Sequence, residues 1–410
     1  MRLLRTNREF RALSIARVVS YIGDAVSLVA LMLYVADTAG QALAAALLLL
    51  VGDFAPALLS PLTGVVSDRF NRKHVMIGCE LAQGGLLLII AVLLPPLWLL
   101  LALVGLRATI GHTFQPAARA AIPSLVAASE LEQANATLGF GANGGEALGP
   151  FLAAALFPLV GVRGVLLVDA ATFLVSAVLL VRLRSLPPLG AAERRSYLGD
   201  VRIGFGAIWS VPAVRIITVT FALVVLCTAI DDVALVYLVR DTLHANESSV
   251  GLVLGGIGVG LLVGYLLLAR GRGSMTTLLV VGFLVTSLGN LLTGLAWAVG
   301  VALALQTVRG LGIAAIDVAS NTLVQRLVPG PLLGRAFGNL YGLIGIAAGI
   351  SYVGGGLLLD ATSAPVTLIV AGAGGTLVAG LAALTVPRAV RAHDTPEWKT
   401  GMDSGGVSAG

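Results

Sequence analysis

The sequence is poor in charge and in side chains that carry chemistry. Of 410 residues, 26 are Lys or Arg, 21 are Asp or Glu and 4 are His, so charged groups amount to 11% against 57% hydrophobic residues. So little polar surface cannot cover the apolar remainder in water, which excludes a soluble globular domain and a disordered chain alike. The two cysteines, Cys79 and Cys227, both lie inside apolar runs and build neither a disulfide framework nor a metal site. The histidines do not cluster, no nucleophile arrangement is recognisable, and no G-x-x-x-x-G-K-[ST] stretch offers a phosphate cradle for ATP. No enzyme, metal or organic cofactor is expected. The net charge of +5 is not gathered into an aromatic-interleaved patch, so nucleic acid is not expected as a partner. The basic start is followed by an apolar stretch carrying Arg17 and Asp24 rather than a cleavable signal core, and is expected to be retained as a first span.

What the chain does have is apolar runs, recurring along almost its whole length, with a mean hydropathy of +0.97. A helix crossing the hydrocarbon needs about 20 such residues. On that criterion twelve spans lie at about 11 to 36, 41 to 66, 74 to 95, 97 to 118, 133 to 157, 163 to 184, 213 to 238, 248 to 270, 275 to 296, 298 to 320, 336 to 359 and 364 to 386. The expected class is an all-α membrane protein with the lipid bilayer as partner. Nearly all loop arginines and lysines fall on one side, with only Arg163 and Arg240 opposite, which places both termini in the cytoplasm. The longest polar interruption holds Pro187, Pro188, Arg194 and Arg195, then Tyr197, Phe205 and Trp209, a composition suited to an interfacial helix. The expected organisation is an N-terminal six-helix half (1–184), a cytoplasmic linker (185–211), a C-terminal six-helix half (212–390) and a cytoplasmic tail (391–410).

The halves repeat each other. An offset of 202 pairs Arg107 with Arg309, Phe114 with Ile316, and Ser124-Leu125-Val126 with Arg326-Leu327-Val328; a shift of 207 sets the run beginning at Asp24 on the one beginning at Asp231. Two pseudo-symmetric six-span halves are the internal symmetry of rocking transporters whose substrate site lies between the halves at mid-depth.

The segment Gly64-Val65-Val66-Ser67-Asp68-Arg69-Phe70-Asn71-Arg72-Lys73 ends span two at a helix C-terminus, where cations belong and Asp68 does not. Asp68 therefore needs a basic partner or the N-terminus of another helix, and Arg119 and the start of span eleven at Arg335 are the candidates. The spacing resembles motif A of the major facilitator superfamily, G-x-x-x-D-R-x-G-R-R/K, with Asn71 in place of the second glycine. Twelve spans around a central loop extend the resemblance over nearly the whole chain. It implies the major facilitator fold and assigns Gly64, Asp68, Arg69, Arg72 and Lys73 to a latch between the halves.

Arg107 lies near mid-depth in span four, where an ionised side chain costs at least about 2.5 to 3.5 kcal/mol and must face protein or water. With Gly111 it resembles the superfamily's motif B, in which such an arginine is linked with proton transfer; its repeat mate Arg309 reads as structural. Asp24, Asp53 and Glu146 are the deep acids, and burial and a neighbouring Arg107 pull on their protonation in opposite senses, a physical basis for proton coupling. Asp24 ranks first because span one faces the cavity in this fold, then Glu146, then Asp53. Asp317 in span ten belongs to the same set of intramembrane acids. Glu80, Asp169 and the pair Asp231 and Asp232 read as nearer the span ends, with access to interfacial water. His112, one turn beyond Arg107, is either a proton relay or a packed hydrogen-bonding residue.

In span five, Gly145, Gly149, Ala153 and Ala154 form a close-packing stripe beside the bend at Pro150. G-x-x-x-G-P resembles motif C of the superfamily's drug and proton antiporters. The stretch Leu131 to Ala136 and the Gly334-Arg335 start of span eleven resemble the subgroup of macrolide efflux proteins, multidrug efflux proteins and the enterobactin exporter. The resemblance implies a monomeric exporter in the bacterial inner membrane, driven by the proton gradient, with a small lipophilic or amphipathic substrate in a mostly apolar cavity. A proton-driven importer of a small polar solute, which would show cavity-facing Asn, Gln and charged groups, and a non-transporting sensor or scaffold are the alternatives.

Overall fold

The structure, a computed structural model, describes residues 2–52, 70–127, 130–186, 209, 211–268, 274–328 and 333–393. Asp53, Gly64, Asp68 and Arg69, the side chains of Arg119, Glu146 and Arg335, and nearly all of the 185–211 linker lie outside the described residues.

A chain in lipid must satisfy its backbone polar groups internally, and every regular element described is a helix. Span one is Arg8–Ala39, capped at Gly40 with φ 63°. The apolar helix Ala42–Gly52 opens span two. Span three is Arg72–Leu93 and span four Leu97–Leu125. The run Leu131–Val181 breaks at Gly161, where φ 61° and ψ −174° suit a residue without a Cβ, and divides into span five (131–160) and span six (162–181). Span seven is Pro212–Thr242, span eight Glu247–Leu268, span nine Met275–Thr293, span ten Val299–Leu327, span eleven Leu333–Ala361 and span twelve Ala364–His393. Among the described residues, each of the other eleven expected spans has its helix, most with ends a few residues from the apolar runs, and span two has its opening part. Span seven departs usefully: it breaks after Thr228, restarts at Asp231 and runs on through a π-helical turn, Leu238–Thr242.

The bundle has a terminal end, where span one begins and span twelve finishes, and a far end opposite. Three hydrophobic cores divide it. One joins residues of spans one, two, seven and eleven, such as Val29, Ala46, Val233 and Leu359, across both halves at the far end. The other two belong to the terminal end, one within each half: Leu13, Phe114 and Leu180 in the first, Val214, Phe283 and Leu323 in the second. Among the described residues the halves thus share a core only at the far end.

Among the described residues, spans five and eight form the main seam between the halves. A Cβ on Gly251 would stand 2.5 Å from the Pro150 carbonyl oxygen, and one on Gly258 would stand 2.7 Å from the Ala147 Cβ, so the two backbones touch only because span eight carries glycine there. Gly258→Val forces them apart. Overpacking of this kind costs about 1–3 kcal/mol, and the expected result is a lowered Tm of the detergent-solubilised protein, measured by scanning fluorimetry. On its other face span five meets span one, where a Cβ on Gly145 would stand 3.0 Å from the Tyr21 Cβ and one on Gly149 would overlap Ala25. The two glycines of the stretch that resembles motif C are therefore packed on their own half, whereas Ala147, Pro150 and Ala154 meet the other half.

At the terminal end, Asn71 N-caps span three, its side chain accepting from the Lys73 backbone N–H at 3.1 Å and donating to Ser185 Oγ at 2.7 Å. An N-cap prefers asparagine to most residues, which accounts for Asn71 where the motif has glycine. Lys73 Nζ donates to the carbonyls of Val181 at 2.7 Å and Leu183 at 2.6 Å, a cation at the negative end of span six. Arg72 is buried, and its backbone N–H donates to the Leu186 carbonyl at 3.0 Å. Both motif residues thus hold the end of span six and the chain just after it, in their own half.

Candidate functional site

Span one presents Arg17, Tyr21, Asp24 and Leu28 at successive turns of one face, and these line a cavity of about 570 Å³ together with Glu80 and Gln83 of span three and Arg107, Gly111, His112 and Gln115 of span four. Arg107 Nη1 donates to Asp24 Oδ1 at 2.7 Å and stands 3.6 Å from Asp169 Oδ2 of span six. The guanidinium therefore sits between two carboxylates of different exposure. The Asp24 side chain is 38% exposed, into the cavity, whereas Asp169 is wholly buried. Gly23 makes room for this arrangement, since a Cβ there would overlap the Asp169 carboxylate and the Thr172 hydroxyl.

Toward the terminal end of the cavity, Arg17 lies over the rings of Tyr21 and Phe114, with its guanidinium carbon 4.4 Å and 4.8 Å from their centroids. It donates to Tyr21 Oη and, at 2.8 Å, to Gln115 Oε1, while Gln115 Nε2 donates to Tyr21 Oη at 2.7 Å. Glu80 is buried with Ser20 and Ser176 beside its carboxyl, and its Oε2 has no hydrogen-bond partner among the described residues. Among the described residues, one compartment therefore holds three carboxylates, Asp24, Glu80 and Asp169, and two guanidiniums, Arg17 and Arg107. Fully ionised, the five groups carry one net negative charge that a single proton neutralises.

The pseudo-equivalent place in the second half is built differently. Arg309 ion-pairs with Asp231, whose Oδ2 also accepts from Asn290 Nδ2 at 3.2 Å and whose Oδ1 accepts from the Asp232 backbone N–H at 2.8 Å, the first turn after the break in span seven. Arg309 Nη1 donates to Gln306 Oε1 at 3.0 Å, and Gln306 Nε2 donates to Thr293 Oγ1 at 3.0 Å. All five side chains are buried, with Asp231 and Arg309 only 4% and 8% exposed. The first half has a wet ion pair and the second a dry one.

Several expectations are corrected here. Asp169, Asp231 and Glu80 do not lie at span ends in contact with interfacial water; they are buried, and the first two are ion-paired to the span-four and span-ten arginines. Span seven continues to Thr242, which puts Asp231 about three turns from the far end, the depth of Arg309 in span ten. Asp169 stands about two turns from the break at Gly161, within reach of the long Arg107 side chain. The cavity wall also carries more charged and hydrogen-bonding side chains than the few expected. Asp317 is not part of that wall: it accepts from Tyr265 Oη at 2.7 Å and Asn321 Nδ2 at 2.8 Å, and Asn321 in turn accepts from Tyr341 Oη at 3.0 Å. His112 is exposed at the cavity. Among the described residues, no cluster of His, Cys, Asp and Glu could hold a metal ion.

Arg17, Tyr21 and Gln115 are site residues that the sequence reading passed over, although the spacing of Arg17, Tyr21 and Asp24 along one helical face was visible in it.

The family model described as Major Facilitator Superfamily matches residues 13–308 and 232–404. The chain belongs to the major facilitator superfamily. It is 25% identical over 387 residues to the MFS-type transporter YfiS of Bacillus subtilis (strain 168), covering 90% of this chain and 91% of that one. It is 32% identical over 128 residues to macrolide efflux protein A of Streptococcus pyogenes, a match that covers 30% of this chain and 31% of that protein. Among solved structures, the nucleoside transporter NupG superposes with a TM-score of 0.74 at 11% identity, covering 94% of this chain and 99% of that one. A bacterial homologue of the iron transporter ferroportin does so with 0.71 at 19% identity, covering 92% and 98%. This superfamily member is thus a multi-pass membrane transporter with the family's twelve-helix fold.

Proposed function

We propose that this superfamily member is a secondary active transporter that couples proton entry to the export of small lipophilic or amphipathic compounds by alternating access. The observation that carries the reading is the cavity-facing Asp24–Arg107 pair, a carboxylate held by one arginine in an aqueous wall where the neighbouring acids leave room for one proton. A proton that binds Asp24 releases Arg107 to Asp169, and the exchange changes the local charge without unmaking the arginine's buried contact. The proton gradient supplies the energy, and the protein works as a monomer. The terminal end is assigned to the cytoplasm by loop charge, in a bacterial inner membrane.

Export is supported by Gly145, Gly149 and Pro150, with their resemblance to motif C, and by the local similarity to a macrolide efflux protein. A second reading has its own observation. Gln83, Gln115, Tyr21 and Arg17 give the cavity the hydrogen-bonding wall that import of a polar solute would use.

One experiment separates the two. An efflux-deficient bacterial host expressing the protein is screened against a panel of amphipathic toxic compounds, beside hosts expressing Asp24→Asn or the empty vector. Export predicts raised tolerance to at least one compound class, lost in Asp24→Asn. Equal sensitivity of all three hosts across the panel removes the drug-export reading, and increased sensitivity of the host with the intact protein favours import.

A further inference from the structure

The shared core at the far end is bridged by two polar contacts that cross from one half to the other. Asp360, at the last turn of span eleven, sets its two carboxylate oxygens on the backbone N–H groups of Ala42 and Leu43, at 2.5 Å and 3.0 Å. These are the first residues of the helix that opens span two. The chain enters that helix just after Gly40, in the left-handed region, so its first N–H groups have no preceding turn to bond to. A carboxylate from the other half satisfies two of them at the positive end of the helix. The second contact is the ion pair of Arg240, in the π-helical turn that ends span seven, with Asp37 at the end of span one.

The helices beneath these contacts are shaped to meet. A Cβ on Gly356 would stand 3.1 Å from Leu43 Cα and Ala46 Cβ, and one on Gly349, two turns away, would stand 3.1 Å from Leu50 Cδ1. Span eleven thus lays a small-residue face along span two, with Asp360 as its terminal hook. Both polar contacts are at least partly exposed, in contrast to the dry Asp231–Arg309 pair, and neither touches the cavity.

We infer that Asp360 and Arg240 are gating residues: a removable clasp on the N-terminus of span two and a strap on the end of span one, which hold the halves together at the far end and must release for the cavity to open there. The alternating-access cycle of a two-half transporter needs a contact of this kind, strong enough to close one end and weak enough to break within the cycle. The helix-end clasp suits that need because water replaces the carboxylate when the halves part, so no charge is stranded in lipid. The inference does not depend on the direction of transport or on the proton site.

The test measures the far end directly. Spin labels are placed on Trp98→Cys and Trp297→Cys, exposed far-end positions in opposite halves, in a background with Cys79→Ala and Cys227→Ser. Double electron–electron resonance then gives the distance distribution in nanodiscs. With Asp360 present, one short population is expected to dominate. Asp360→Ala is expected to raise the ratio of long to short distances about three- to thirtyfold, the value of a helix N-cap. Arg240→Ala is expected to shift it the same way by a smaller factor, and it keeps the question open to test if Asp360→Ala fails to fold. Folding is checked by a monodisperse elution profile. Unchanged distributions in the folded variants, or a shift toward shorter distances, overturn the assignment.

Discussion

Asp24→Asn is expected to abolish proton-driven accumulation in proteoliposomes while leaving substrate exchange at equal concentrations intact. The substitution keeps the size of the side chain and an oxygen that can accept from Arg107, 2.7 Å away, but removes the change of charge. Arg107 retains Asp169 at 3.6 Å, so no arginine is stranded in the membrane and the fold is kept. What is lost is the link between a proton and the rearrangement of the pair. The measurement uses a compound returned by the host screen, with the pH gradient imposed for accumulation and absent for exchange. Uphill transport by Asp24→Asn equal to that of the unaltered protein moves the coupling site away from Asp24. Glu80, buried beside the same cavity with one oxygen unpartnered among the described residues, is then the next acid to replace.

Why the site was partly legible in advance follows from which quantities a sequence carries. Apolar run length fixed the number of helices, because lipid leaves the backbone no other solution. The repeat offset paired Arg107 with Arg309, and a second offset paired Asp24 with Asp231; the structure joins each arginine to the acid of its own half. Depth was harder to judge. An apolar run ends where hydropathy falls, whereas span seven continues through polar Arg240 and Asp241 to Thr242, and that extension moved Asp231 from the apparent edge to the interior. Contacts between helices distant in the chain were illegible for a different reason. Nothing in the composition of span six shows that Asp169 faces Arg107, because that meeting depends on the bare backbone at Gly23 of span one. The hook at Asp360 was equally hidden, since its partners are backbone groups that every residue possesses.

The two ion pairs, alike in sequence position, should respond to substitution in opposite ways. Asp231→Ala is expected to damage the fold rather than the coupling. It leaves Arg309, 8% exposed, with its charge uncompensated among side chains of spans nine and ten that can offer only amide and hydroxyl oxygens. Breaking a buried pair from one side costs about 3–5 kcal/mol, a large part of the stability of a typical domain. The expected result is poor recovery of monodisperse protein and a markedly lowered Tm. Replacing both partners, Asp231→Leu with Arg309→Met, removes the stranded charge and should restore much of the loss, because a well-packed apolar pair of similar volume is often as stable as the ion pair. The double-mutant cycle on Tm separates the pair's own contribution from the cost of leaving one charge behind. If Asp231→Ala folds with an unchanged Tm and loses only proton-driven transport, the dry pair shares the function assigned to the wet one. A destabilised single variant rescued by the double substitution instead makes the asymmetry between the halves a division of labour: one arginine holds the second half together, and the other, open to the cavity, is free to exchange partners.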